Sequence, residues 1–280
     1  MREVAIIGAG ELGGLLAHAL ARRDAVRHVR LIDDAGRVAE GKALDIAQAG
    51  PVEGFATQVS GSTELSDAAG ASAIVIADRA AGGERQTDEG LLLLKQIARL
   101  APDTIVLCAG AAARELVERG VRELGRPRRA LIGSAPEALA AAARAMVALE
   151  ANGSPSDVSL ALAGVPPSQV VVPWQDATIA GFASTRVLDD PARRRLQART
   201  AALWPPGPYA LAMAAAKTIE AIAGHSRRVI SCFVGPDDHA GWSTRAAAFP
   251  VRLGPSGIVE VVQPTLDVRD QVMLENALRL

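Results

Sequence analysis

At 280 residues the chain is long enough for one large or two moderate domains and a sizeable buried core. Hydrophobic residues make up 49%, charged residues 22%, and the net charge is −1, which argues against a disordered chain and against a nucleic-acid-binding surface. Of 30 basic residues only Lys42, Lys95 and Lys217 are lysine, a bias in composition and not a phosphate-binding pattern. Cys108 and Cys232 each sit in an apolar run, so neither a disulfide framework nor a multi-cysteine metal site is expected, and a reducing cytoplasm is the expected setting. Glu3 and Glu11 interrupt the first apolar stretch, which therefore does not read as a signal peptide. No window approaches the roughly 18 consecutive apolar residues of a membrane span.

In chain order, EVAIIG, HVRLID, TQVSG, SAIVIAD, TIVLCAG and RALIGS predict short strands separated by helical stretches. That alternation predicts an α/β fold with a parallel, doubly wound sheet of the Rossmann type. The strand runs are continuously apolar, as strands covered on both faces are. After residue 134 the texture changes. A long Ala-rich helix (PEALAAAARAMVALEANG), strands at VSLALAG and QVVVP and an Arg-rich helix near DDPARRRLQARTAAL are expected. The proline break WPPGP follows, then a helix YALAMAAAKTIEAIAG, a strand VISCFV, a hairpin turning at Gly254-Pro255-Ser256-Gly257 and a terminal helix. Two domains are expected, residues 1–134 and an α+β domain of residues 135–280.

The first strand runs into Gly8-Ala9-Gly10-Glu11-Leu12-Gly13, a G-x-G-x-x-G that opens a helix. Gly8 permits a tight turn, Gly10 lets a pyrophosphate approach the backbone, and Gly13 lets helix and strand pack closely. Asp33 closes the second strand twenty residues past Gly13, where an acid accepts from an adenosine ribose. Gly8, Gly10, Glu11, Leu12, Gly13 and Asp33 are therefore the expected cofactor-binding residues, and NAD the expected cofactor. Asp33, backed by Asp34, is expected to repel the 2′-phosphate of NADP.

The continuation LIDDAGRVAEGKALDIAQAGPVEGF, the loop region SAIVIADRAAGGERQTDEGLLLL, the segment QDATIAGF and the tail from the helix after WPPGP to VRLGPSGIVEVV together resemble the lactate/malate dehydrogenase family. The resemblance covers nearly the whole chain. It implies a 2-hydroxyacid oxidoreductase using NAD, with a catalytic-type second domain and a homodimer through the GKALD helix. Ala43, Leu44 and Ala47 are the expected contacts there, against a partner's helix 209–223 through Ala212, Ala215, Ala216 and Ile219.

Hydride transfer to a 2-keto acid needs a general acid, a carboxylate that holds it, an arginine for the substrate carboxylate and a cationic loop residue. At the positions matching the family's motifs, Val165 or Pro166 replaces the histidine, Leu139 the paired aspartate and Ala142 the substrate arginine. Gly82 and Asp88 stand for the two loop arginines, and Ala109 for an asparagine. No catalytic residue is therefore assigned, and whether the chain is an enzyme is left open: an active dehydrogenase on an altered substrate, or a silent NAD(H)-binding protein. Arg79, Arg85 and Arg144 are candidate substitutes for the lost arginines, and His239 the least implausible histidine. Asp78 falls where the family has an uncharged turn beside the dinucleotide and is expected to repel a pyrophosphate, with Arg79 as a compensating charge.

Overall fold

The computed structural model describes residues 1–224, 226–237 and 245–279. The first half contains β1 (Glu3–Ile7), α1 (Glu11–Arg22), β2 (His28–Ile32), α2 (Gly36–Glu53), β3 (Gln58–Ser62), β4 (Ala73–Ile76), α3 (Thr87–Leu100), β5 (Ile105–Cys108), α4 (Ala113–Leu124) and β6 (Leu131–Gly133). These strands pair in parallel in the order β3-β2-β1-β4-β5-β6. Val4, Ala5 and Ile6 of β1 and Ile74 and Val75 of β4 are fully buried, because helices cover both faces of the sheet. This is the doubly wound Rossmann order, with its switch point between β1 and β4.

The second half adds α5 (Ala135–Glu150), β7 (Val158–Ser159), β8 (Ala163–Val165), β9 (Gln169–Val171), β10 (Thr178–Ile179), β11 (Phe182–Ala183) and the short α6 (Ser184–Val187). Then come α7 (Asp190–Ala201), α8 (Pro208–Ile222), β12 (Ile230–Val234), β13 (Ala247–Gly254), β14 (Gly257–Val261) and α9 (Val268–Arg279). β12 pairs antiparallel with β6, so the sheet continues through β12, β13, β8 and β9 past residue 134. The hairpin of β13 and β14 turns at Gly254–Gly257 as the sequence predicts.

Two expectations change. VSLALAG forms two strands, because side chains take backbone groups between them: Leu162 N donates to Ser231 Oγ at 2.9 Å, and Arg144 donates to the Leu160 carbonyl at 3.1 Å. β7 then joins a small sheet with β10 and β11. The second change concerns the stripe expected to meet another subunit. Ala212, Ala215, Ala216 and Ile219 are buried in their own core with Leu16, Ala17 and Leu20, where α8 packs on α1, and Ala43 is buried in the same cluster. Alanines along α8 let the two helix backbones approach closely within one chain. Only Leu44 and Ala47 of the expected contacts are exposed.

Candidate functional site: the glycine turn and the loop after β4

The chain leaving β1 turns sharply at the switch point. Gly8 has φ +122°, and a Cβ there would lie 2.3 Å from the Asp78 carbonyl oxygen, so both conformation and space demand glycine. A Cβ on Gly13 would lie 2.0 Å from the Gly8 carbonyl oxygen, so α1 sits against β1 because that position has no side chain. Gly8, Gly10, Glu11, Leu12 and Gly13 thus form one turn and the opening of α1, with Glu11 exposed and Leu12 buried. Lys42 donates to the Gly10 carbonyl at 2.6 Å.

Asp33 follows β2, but it is only 2% exposed and its carboxylate already serves the backbone. Oδ2 accepts from Ala9 N at 2.7 Å and Ala80 N at 3.0 Å, and Oδ1 accepts from Ala35 N at 2.9 Å. Burial is the largest single influence on this carboxyl and raises it, yet the three amides and the Asp34 side chain together outweigh burial and hold it below the usual carboxylate range.

Asp78 closes the other side of the turn. Its Oδ1 accepts from Gly13 N at 2.9 Å and its Oδ2 from Leu12 N at 3.2 Å. These are the second and third amides of α1, whose N-cap residue Gly10 has no side chain to offer them. Asp78 therefore caps α1 from across the chain, with its charge at the positive end of the helix dipole.

Beyond Asp78 the loop folds back onto the ends of the strands. Arg79 N donates to the Gly83 carbonyl at 2.9 Å, and the Arg79 guanidinium pairs with Glu89 at 3.3 Å. Glu84 accepts from Ala111 N and Ala112 N at 2.9 and 3.0 Å, ahead of α4. Arg85 donates to the carbonyls of Ala77 at 2.9 Å and Ile7 at 3.3 Å. Burial, then nearby Arg79, pushes the Arg85 guanidinium below its ordinary value. The space bounded by Ala77, Glu84, Arg85, Cys108, Gly110 and Leu116 is about 30 Å³, room for about one water.

The three arginines that the sequence offers as candidate substrate-binding cations are all engaged. Arg79 and Arg85 are held as described, and Arg144 pairs with buried Glu137 at 2.6 Å. His18 lies 3.4 Å from Glu53, and His28 lies 3.3 Å from Glu3. His225 and His239 lie outside the described residues. Glu84 was missed by the sequence reading; its contact with residues 111 and 112 spans 27 and 28 positions and leaves no local pattern.

Residues 2–111 match the model of the lactate/malate dehydrogenase NAD binding domain. Over 99% of its length the chain is 28% identical to malate dehydrogenase of Thermomicrobium roseum, covering 94% of that protein. It is 29% identical to malate dehydrogenase of Thioalkalivibrio sulfidiphilus, over 99% of this chain and 96% of that one. The structure of malate dehydrogenase from Salinibacter ruber superimposes with a TM-score of 0.87 at 25% identity, covering 98% of this chain and 93% of that chain. The domain match, these relatives and this structure all support the lactate/malate dehydrogenase family. At 20% identity, the lactate dehydrogenase of Cryptosporidium parvum, solved with lactic acid and NAD, has the same fold, with a TM-score of 0.87 over 99% of this chain and 94% of that one.

Set against the family's motifs, Leu139 is fully buried, in a hydrophobic cluster with Val158, Val170, Val172 and Trp174. Ala109 is buried at the end of β5, and Asp88 pairs with Arg119 at 2.7 Å. The glycine turn fits the family's cofactor: its three glycines are each required by the backbone geometry or by close approach. The amides of Leu12 and Gly13 at the opening of α1 are engaged by Asp78. Among the described residues no cluster of His, Cys, Asp or Glu is arranged to hold a metal, and no helix is long and apolar enough to cross a membrane.

Proposed function

We propose that this chain is an NAD(H)-binding member of the lactate/malate dehydrogenase family, descended from 2-hydroxyacid oxidoreductases, that does not turn over malate or lactate at dehydrogenase rates. NADH, when bound, supplies a hydride; the protein must supply a proton donor and a cation for the keto acid. The observation that carries the reading is that Leu139, Ala142 and Val165 or Pro166 stand at the positions matched to that set, with Leu139 buried in a hydrophobic cluster. Loss of a general acid alone costs about 10²- to 10⁴-fold, and the substrate clamp is missing as well. Asp33 and Asp34 support a preference for NAD over NADP, since their charges disfavour a 2′-phosphate.

The same reading takes the chain as a cytoplasmic homodimer. The two cysteines are free and buried, and α2 leaves Leu44 60% exposed beside exposed Ala47. The decisive experiment is single-turnover oxidation of NADH, at saturating concentration, across a panel of 2-keto acids including pyruvate and oxaloacetate. No appreciable oxidation is expected. Turnover at about 1 to 10³ per second, the usual enzyme range, would establish an active dehydrogenase instead.

A further inference from the structure

We infer that Asp78 is the chain's own occupant of the pyrophosphate position, so that a dinucleotide binds only when the Asp78 carboxylate leaves the first turn of α1. This rests on the NAD(H)-binding reading above and adds a residue that sets the affinity.

The amides at the start of such a helix are the groups that receive a phosphate. Here those of Leu12 and Gly13 donate to Asp78 at 3.2 and 2.9 Å. The space left by the middle glycine is used in the same way. A Cβ on Gly10 would lie 2.3 Å from both Cγ and Oδ2 of Asp78, so the close approach that this glycine grants a pyrophosphate is granted to a side chain of the protein.

The contact is held from several sides. Gly10 N donates to the Asp78 carbonyl at 2.9 Å. Ala77, just before it, accepts from Arg85, and Ala80, two residues on, donates to Asp33. Glu84 fastens the far end of the loop to the start of α4. A carboxylate and a pyrophosphate are both anions competing for the same two amides. The backbone of Asp78 is fixed, so its charge stays beside any phosphate that displaces it. Apparent affinity then falls in proportion to the fraction of molecules with Asp78 withdrawn.

Titration calorimetry with NADH on the full chain tests this, comparing the wild type with Asp78→Ala and Asp78→Asn, each checked for native helix content by circular dichroism. Asp78→Ala should bind NADH at least about tenfold more tightly, corresponding to withdrawal of Asp78 in about a tenth or less of wild-type molecules. Asp78→Asn, which keeps the size and loses the charge, should fall between the two. Equal affinity in the wild type and in either folded variant overturns the inference and leaves the NAD(H) reading intact. Absence of NADH binding in all three proteins overturns the NAD(H) reading and the inference together. Should Asp78→Ala fail to fold, the comparison with Asp78→Asn decides on the same terms.

Discussion

Asp33 and Ala80 are joined across 47 residues: the Ala80 amide donates to Asp33 Oδ2 at 3.0 Å. The same oxygen accepts from Ala9, so one carboxylate ties the glycine turn to the loop after β4. A residue expected to meet a ribose is thereby also a structural tie between the two loops that frame the switch point. Asp78 spans the same gap with a second carboxylate, on the amides of Leu12 and Gly13.

Replacing Asp33 with asparagine removes the charge from all three amide contacts, and the variant should be less stable by about 2 kcal/mol or more at pH 7. The sign of the pH dependence follows from the direction of the shift. The folded carboxyl lies below its usual value, so its stabilisation is fully present above the unfolded value of about 3.9 and is lost as pH falls through the lower folded value. Urea midpoints of wild type and Asp33→Asn should differ by a constant amount from about pH 5 to 7 and converge in stronger acid. A gap that persists unchanged to about pH 2 would assign the effect to packing alone.

Both thiols should be inert in the folded protein. Burial pushes Cys108 up to about 12. Cys232 is raised first by burial and then by the nearby charge of Glu137, with a hydrogen bond to Thr218 opposing. Because the thiolate is the reactive form, a disulfide reagent at pH 8 should modify neither cysteine in native buffer and both in denaturant. Rapid labelling of the native chain would show that one of these strands opens readily.

Glu137 is 2% exposed and its Oε1 binds two cations, Arg144 at 2.6 Å (16% exposed side chain) and Lys217 at 2.7 Å (31%), while Oε2 accepts from Ser231 N at 3.0 Å. Removing one member of a buried charge pair costs about 3–5 kcal/mol; here both cations reach water in part, so Glu137→Gln should cost about 2–3 kcal/mol. Adding Lys217→Met to Glu137→Gln should then cost less than Lys217→Met alone, the coupling expected of direct contact. Additive losses in urea denaturation would show that the three groups act independently.

The strands, the glycine turn and the place of Asp33 were legible because they rest on local signals: apolar runs, glycine spacing and an acid closing a strand. The side of α8 that meets α1 was not. An Ala-rich helix carries small residues around much of its circumference, so sequence spacing could not say whether Ala212 and Ala216 face their own core or another chain. Asp78 was readable as a charge in the wrong place for a phosphate. That it accepts from the amides of Leu12 and Gly13, 66 and 65 residues away, depends on the sheet bringing the ends of β1 and β4 together.

The association surface can be tested through what remains of it. With Ala43 and the α8 alanines in the core, the exposed apolar part of α2 includes Leu44, with Ala47 one turn on, Val38 before it and Val52 beyond. Residues three and four apart share a helix face, and an exposed leucine of this kind gains by burial against a two-fold-related copy, the commonest form of soluble oligomer. Light scattering at micromolar concentration should therefore give about twice the 29.0 kDa of one chain. Leu44→Glu and Ala47→Glu should each return the monomer mass with unchanged circular dichroism, since both side chains point to solvent within the subunit and meet an unpaired buried charge only at the contact. A wild-type mass of 29.0 kDa would reject the dimer outright, and a dimer unaffected by either glutamate would move the contact away from α2.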